Sequence, residues 1–478
     1  MTITDKTAAA AAEDTTAEAA AGRPAAAASQ PITDALIERG RIAHELDRKH
    51  VFHSWQAQGP FKPMTVLKAE GSRVWDGEGR EMLDLSSQLV NTNIGHQHPK
   101  VVQAIQAQAA EICTIAPQHV NDARSEAARL IAELAPEGLE HVFFTNGGAD
   151  ANEHAIRMAR LHTGRNKVLS AYRSYHGGTN LAVNVTGDPR RFPNDTPGDG
   201  VVHFMPAYSY RSHFGSTSEA EETERALQHL KDMVLLEGAQ NIAAIILETV
   251  PGTAGIYAPP AGYLEGVREL TREHGIMLIT DEVMAGFGRT GEWFAFDHWN
   301  LTPDLITFAK GVNSGYVPLG GVIISDHVYQ SFVDRQFPGG LTYSGHPLAC
   351  AAAVATINAM RDEGMVENAK RLGEEVIGPR LQELGEKHPS VGDVRGLGCF
   401  WAIELVVNRE TKEPLAPYGG SSEAMGRVLK AINAGGVLPF ANFNRIHVVP
   451  PLNIADADVL AGIDVIDRAL SIADEYVQ

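Results

Sequence analysis

Between residues 141 and 324, six short segments are apolar on both faces: His141–Phe144, Lys167–Ala171, Ile242–Glu248, Ile276–Thr280, Asp304–Phe308 and Val322–Ile324. A strand with one wet face alternates apolar and polar residues. A strand that is apolar throughout must be covered on both sides, as strands of a parallel sheet are. Helical segments fall between them, including Asp150–Leu161, Ala220–Leu235 and Gly262–His274. This alternation predicts an α/β fold with a mostly parallel sheet. Open sheets of that kind bind ligands beyond the carboxyl ends of their strands. The loops that follow the six segments are therefore where chemistry is expected.

The flanks read differently. Residues Thr33–Arg48 have helical spacing, with Ala35, Leu36, Ile42 and Leu46 on one face. Two strands follow, Thr65–Glu70 and Ser72–Trp75, turning at Gly71. A long helix is expected from Ala351 to Arg361, then mixed α+β structure, a strand at Ile446–Val449 and a helix from Asp456. Residues 1–30 are rich in Ala and lack bulky side chains. They read as a disordered, solvated tail, because no basic start leads into an apolar core as in a signal peptide.

The 478 residues carry 40 basic and 59 acidic side chains, a formal charge of −19. That balance argues against a nucleic-acid partner, which needs concentrated Lys and Arg, and against an anionic membrane surface. No run approaches the ~18 consecutive apolar residues of a membrane span. The three cysteines, Cys113, Cys350 and Cys399, form no CxxC metal or redox pattern. They are expected to be inert buried thiols in a reducing, cytoplasmic setting, with no metal site.

Three strand ends carry candidate chemistry. Phe144–Asp150 reads Phe-Thr-Asn-Gly-Gly-Ala-Asp. Its glycines let backbone approach a ligand, and the helix that follows aims free N–H groups at an anion such as phosphate. Its bland alternative is a tight strand-to-helix turn. At Ile276–Val283 two adjacent carboxylates, Asp281 and Glu282, close an apolar strand and face opposite ways, with Val283 on the side of Asp281. A buried carboxylate there needs a cation or donors, which a framework ion pair would also provide. At Leu305–Gly311, Lys310 ends another apolar strand. A desolvated lysine becomes a free amine able to attack a carbonyl; the bland reading is a lysine reaching outward to solvent. Together, a phosphate cradle, an aspartate and a lysine suit pyridoxal 5′-phosphate: Lys310 for the aldehyde as a Schiff base, Asp281 for the protonated pyridine nitrogen, Val283 against the ring. The segment Gly286–Gly291 matches GxGxxG, but Glu292–Phe296 does not begin an amphipathic helix, so a dinucleotide site is not expected.

Thr280-Asp281-Glu282-Val283 with Gly286–Gly291, Phe308-Ala309-Lys310-Gly311, Thr145–Glu153, Ser174-Tyr175-His176-Gly177 and Thr342–Pro347 occur in this order. In these motifs the chain resembles the class III (ω-) aminotransferases from about His50 onward, nearest to taurine, β-alanine and amine aminotransferases. The resemblance implies fold type I. A large cofactor domain would span 96–350, with a small domain built from 31–95 and 351–478. It also implies a homodimer with active sites at its interface. By the resemblance, Lys310 is the Schiff-base lysine, Asp281 the pyridinium partner, and Tyr175 and Val283 the residues either side of the ring. Gly147, Gly148 and Ala149 are the phosphate loop, Thr342 the phosphate ligand lent by the other subunit, and Glu248 the active-site glutamate.

Departures bear on substrate. Gly147 replaces a serine common in the phosphate loop, and Met284 stands where 4-aminobutyrate and ornithine enzymes place a glutamine. Val90 occupies a position that is tryptophan in several amine aminotransferases, and Trp55 takes the place of an aromatic gate. The arginine that binds substrate carboxylate in many members would fall near Phe440 or His447. Arg445, two residues before His447 and hence on the same strand face, is the candidate replacement; a structural arginine with one carboxylate partner is the alternative. The implied reaction moves a terminal amino group from an ω-amino acid or amine, of taurine or β-alanine type, to pyruvate or 2-oxoglutarate. Rival readings are a class III phospholyase or aminomutase, a 4-aminobutyrate aminotransferase, and a non-enzymatic protein on the same scaffold. The dimer, or a tetramer of paired dimers, is the expected assembly.

Overall fold

The computed structural model describes residues 31–196 and 200–478, so the expected tail at 1–30 lies outside the described residues. The chain opens with the helix Asp34–His50, then the strands β1 (Val66–Glu70), β2 (Arg73–Asp76) and β3 (Glu81–Asp84). The central strands are β4 (His141–Thr145), β5 (Lys167–Ala171), β6 (Val201–Phe204), β7 (Ile242–Glu248), β8 (Met277–Asp281), β9 (Leu305–Phe308) and β10 (Gly320–Ile324). The last part adds β11 (Val391–Leu397), β12 (Phe400–Asn408), β13 (Glu413–Pro414), β14 (Val437–Leu438), β15 (Phe440–Asn442) and β16 (Arg445–Val448).

The central strands make one seven-stranded sheet, in the order β4-β10-β9-β8-β7-β5-β6. Every residue of β7, β8, β9 and β10 is buried, which is why these segments are apolar at nearly every position. β6–β5–β7–β8–β9 run parallel. β10 corrects the expectation from its composition: it runs antiparallel to both β9 and β4. The link from β9 to β10 covers only residues 309–319, short of the dozen or more that a parallel crossover needs. Burial on both faces, not strand direction, is what makes it read apolar.

Two smaller sheets flank this layer. β14, from the last part of the chain, pairs parallel with β3 and so joins the two ends of the chain in one sheet, β1-β2-β3-β14. β11-β12-β16-β15 form an antiparallel sheet, with β13 on β12. The helix expected from Ala351 runs Pro347–Asp362 and packs on the helices Pro99–Glu111 and Asp122–Leu134. The 350/351 division therefore falls inside a helix. Arg289, from the GxGxxG segment, is fully buried and ties the parts together. Its guanidinium donates to the Pro450 carbonyl (2.5 Å), the Asn93 side chain (2.8 Å) and the Cys399 carbonyl (3.2 Å). A one-turn helix, Ala295–Trp299, follows that segment rather than a long one. Cys350 and Cys399 are buried, but Cys113 is exposed, against expectation, because it falls just past the end of helix Pro99–Glu111. Among the described residues no helix is long and apolar enough to cross a membrane.

Candidate active site

Asp281 ends β8 beside Glu248, which ends β7, in parallel register, so both side chains leave the same face. Asp281 is 3% exposed. One of its oxygens accepts from the Asn152 amide (2.8 Å) and sits 2.7 Å from His176 Nδ1; the other accepts from the Val283 N–H (3.0 Å). Asn152 is itself oriented by the Thr307 hydroxyl (2.8 Å). Burial disfavours charge on His176, but its hydrogen bond to Asp281 and the charge there outweigh burial and raise its pKa. Glu282 turns to the other face, as the strand alternation requires. It accepts from Thr249 (2.6 Å) and the Ala295 N–H (2.8 Å), and burial pushes its carboxyl up to about 8.

Lys310 follows β9 in a left-handed backbone conformation, φ +45. A side chain there is strained, and a one-turn helix, Lys310–Asn313, holds it. Burial lowers the Lys310 amine to about 8, against the pull of Asp281 and Glu248. Glu248 accepts from the N–H of Tyr175 (2.9 Å) and of Gly252 (2.9 Å). Burial, first, and then Asp281 raise its pKa. Arg190 stacks on Tyr175 at 3.5 Å, and it also holds Asp188 and the Thr253 hydroxyl (3.0 Å).

The glycine loop behaves as an anion cradle. The helix Gly148–Thr163 starts two residues earlier than expected, with Gly147 as a cap that has no side chain to offer its N–H groups. A Cβ on Gly148 would lie 2.7 Å from Val283, so only glycine lets the loop sit on that side chain. Gly177, at φ +135, lies against Ala149, 2.5 Å from where its own Cβ would be. Free helix N–H groups, the buried carboxyl of Asp281 and an amine of lowered pKa match, in turn, a phosphate, a pyridinium nitrogen and an aldehyde. That donor set fits pyridoxal 5′-phosphate.

Lys310, Asp281, Glu248, Tyr175, Val283 and the loop Gly147–Ala149 thus gather at neighbouring strand ends. Three other expected residues make none of these polar contacts. Thr342 is exposed on the segment before helix Pro347–Asp362. Trp55 is 64% exposed, and Val90 is fully buried in an apolar cluster with Met284 and Phe440. Arg445 is buried with no carboxylate partner among the described residues, which removes the single-partner alternative. Sequence reading missed Asn152, His176 and Arg190. The available signal was the demand of a buried carboxylate for donors, applied to His and Asn just beyond neighbouring strand ends.

The chain belongs to the class III aminotransferases: residues 55–470 match the family described as Aminotransferase class-III. These enzymes use pyridoxal 5′-phosphate. The chain is 37% identical to a putrescine–pyruvate aminotransferase of Pseudomonas aeruginosa over 74% of its length and 79% of that protein. It is 34% identical to a taurine–pyruvate aminotransferase of Rhodobacter capsulatus, over 89% of this chain and 95% of that one. A solved taurine:2-oxoglutarate aminotransferase from Bifidobacterium kashiwanohense, in complex with PLP and glutamate, superposes with a TM-score of 0.88 at 40% identity, covering 94% of this chain and 100% of the other. The fold is therefore PLP fold type I, and the protein is a transaminase of the ω type.

Proposed function

We propose that the enzyme takes the terminal amino group of a short ω-amino acid or amine, of taurine or β-alanine type, and delivers it to pyruvate or 2-oxoglutarate. The observation that carries this reading is Lys310, an amine of lowered pKa facing Asp281 and Glu248 at one strand-end cleft. Pyridoxal 5′-phosphate, when bound, supplies an aldehyde for amines and a ring that accepts electrons. Lys310 would hold the aldehyde at rest; once freed by a donor amine, its neutral nitrogen would take a proton from the carbon that bears the donor nitrogen and pass it to the former aldehyde carbon. Asp281, positioned by His176 and Asn152, would hold a proton at the pyridine nitrogen. The N–H groups of Gly147, Gly148 and Ala149 receive the phosphate. Tyr175, backed by Arg190, and Val283 confine the ring.

Trp55, Val90 and Arg445 are assigned to the substrate side. The exposed Thr342 fits a homodimer in which each subunit completes the other's phosphate site. The three free cysteines suit the cytoplasm. A donor-by-acceptor panel tests the reading. Alanine or glutamate should form from the oxo acid in step with donor loss. Ammonia or inorganic phosphate released without any oxo acid would instead mark a lyase, and an isomer of the donor formed without oxo acid an aminomutase.

A further inference from the structure

Lys310 opens a tight turn that ordinary side chains do not favour. Lys310 (φ +45) and Ser314 (φ +56) both lie in the left-handed region without being glycine, a conformation that persists only where its surroundings fix it. Within the turn, the N–H groups of Ser314 and Gly315 close back on the Lys310 carbonyl, the second at 3.1 Å. Those bonds tie the two strained residues to each other, and leave open what holds the turn in place.

The anchor is a segment far off in sequence, residues 91–98. The Ile94 N–H donates to the Ser314 hydroxyl (3.1 Å). The Tyr316 hydroxyl donates to the Gly95 carbonyl (3.0 Å) and accepts from the His98 N–H (2.5 Å). These bonds span 218 to 221 residues, so none is a local consequence of the turn. Two glycines let the surfaces meet. A Cβ on Gly311 or Gly315 would run into the side-chain amide of Asn93 or Asn91.

The segment is itself fixed from the other side. Gly71, at the β1–β2 turn, and His96 exchange both of their backbone hydrogen bonds (2.9 and 2.8 Å). His96 Nε2 lies 3.1 Å from Asp84, which ends β3 and is fully buried. The sheet β1-β2-β3-β14, which joins the two ends of the chain, therefore reaches the lysine turn through a single intervening segment. A reacting group misplaced by about 1 Å can lose roughly 10²-fold in rate, so whatever holds this turn bears on the chemistry as well as on folding.

We propose that Tyr316 is a positioning residue for Lys310: through Gly95 and His98 its hydroxyl pins the strained turn to the sheet β1-β2-β3-β14 and so aims the amine at the cofactor's aldehyde. Ser314 shares this role through Ile94. The proposal rests on the reading of Lys310 as the residue that holds the cofactor, and adds the side chains that aim it.

The test uses the full chain freed of cofactor and two probes. Pyridoxal 5′-phosphate reports the attack of Lys310 on the aldehyde. Its analogue 4′-deoxypyridoxine 5′-phosphate keeps the ring and the phosphate but has no aldehyde. The measurement is made above pH 8, where the Lys310 amine, lowered to about 8 by burial, is largely neutral. At saturating pyridoxal 5′-phosphate, Tyr316→Phe should slow growth of the visible cofactor band roughly 10-fold, about the worth of the two hydrogen bonds it loses. Its affinity for the deoxy analogue should stay within about twofold of wild type. Ser314→Ala, which removes only the Ile94 contact, should slow the band about threefold with the same unchanged affinity, and carries the test if Tyr316→Phe does not fold. Equal losses for both probes would mean that these hydroxyls merely support the fold, and would overturn the proposal. So would unchanged band growth in both variants. Failure of wild type to transfer an amino group from any donor would instead defeat the proposed function alone, since neither probe involves a donor.

Discussion

Asp281 and Arg445 are both buried charges at strand ends, 3% and 1% exposed. Asp281 is held by Asn152, His176 and a backbone N–H; Arg445 has only one carbonyl. In the inner cleft, charges around the cofactor position are pre-paired by the protein. In the outer cleft Arg445 forms no ion pair among the described residues, with Glu404 paired across from it on β12. The difference separates what stays from what comes and goes. A resident cofactor needs a fixed field, which preorganised donors supply at no cost during reaction. A substrate that must bind and leave is better served by a site that its own charge completes.

The inner half breaks most severely at Lys310. Lys310→Ala should lower turnover by about 10⁴-fold, the upper end of what losing a general acid–base group costs, and abolish the visible cofactor band. Asp281→Asn should come next, with roughly 10²- to 10³-fold lower kcat and little change in the propionate affinity of the outer site. A drop in both by the same factor would erase the distinction between the two halves.

Cofactor uptake sharpens the comparison through pH. The Lys310 amine is lowered to about 8 by burial, and only its neutral form attacks an aldehyde. The rate at which cofactor-free protein takes up pyridoxal 5′-phosphate should therefore rise ~50-fold from pH 6 to pH 8, then level off. A rise continuing toward the ordinary lysine value would show that burial does not tune this amine.

The smallest effect belongs to Glu282, on the far side of β8. Its carboxyl is raised from 4.5 to about 8 by burial, so between these values the folded protein binds the extra proton. Stability should fall as pH rises through that window, on the order of 1 kcal/mol per pH unit at most. Glu282→Gln should flatten this slope in denaturant titrations while leaving the visible cofactor band in place. An unchanged slope would mean that Glu282 ionises freely.

Much of the frame was legible in the sequence because burial on both faces is a one-dimensional signal. β5 and β7 fall at their expected bounds, Lys167–Ala171 and Ile242–Glu248. The opposed faces of Asp281 and Glu282 follow from strand alternation alone. β6 escaped notice because Val201–Phe204 is short and carries His203. The direction of β10 was hidden because composition reports burial and not orientation. The pairing of Asp281 with Asn152 and His176 spans 129 and 105 residues, and no local pattern encodes such partners.

Amino transfer by Lys310 between an ω-amine and an oxo acid is tested by following nitrogen from ¹⁵N-labelled β-alanine with pyruvate as acceptor. Wild type should give ¹⁵N-alanine in proportion to donor consumed, and Lys310→Ala none. Label appearing as free ammonia, or label transfer surviving in Lys310→Ala, would contradict it.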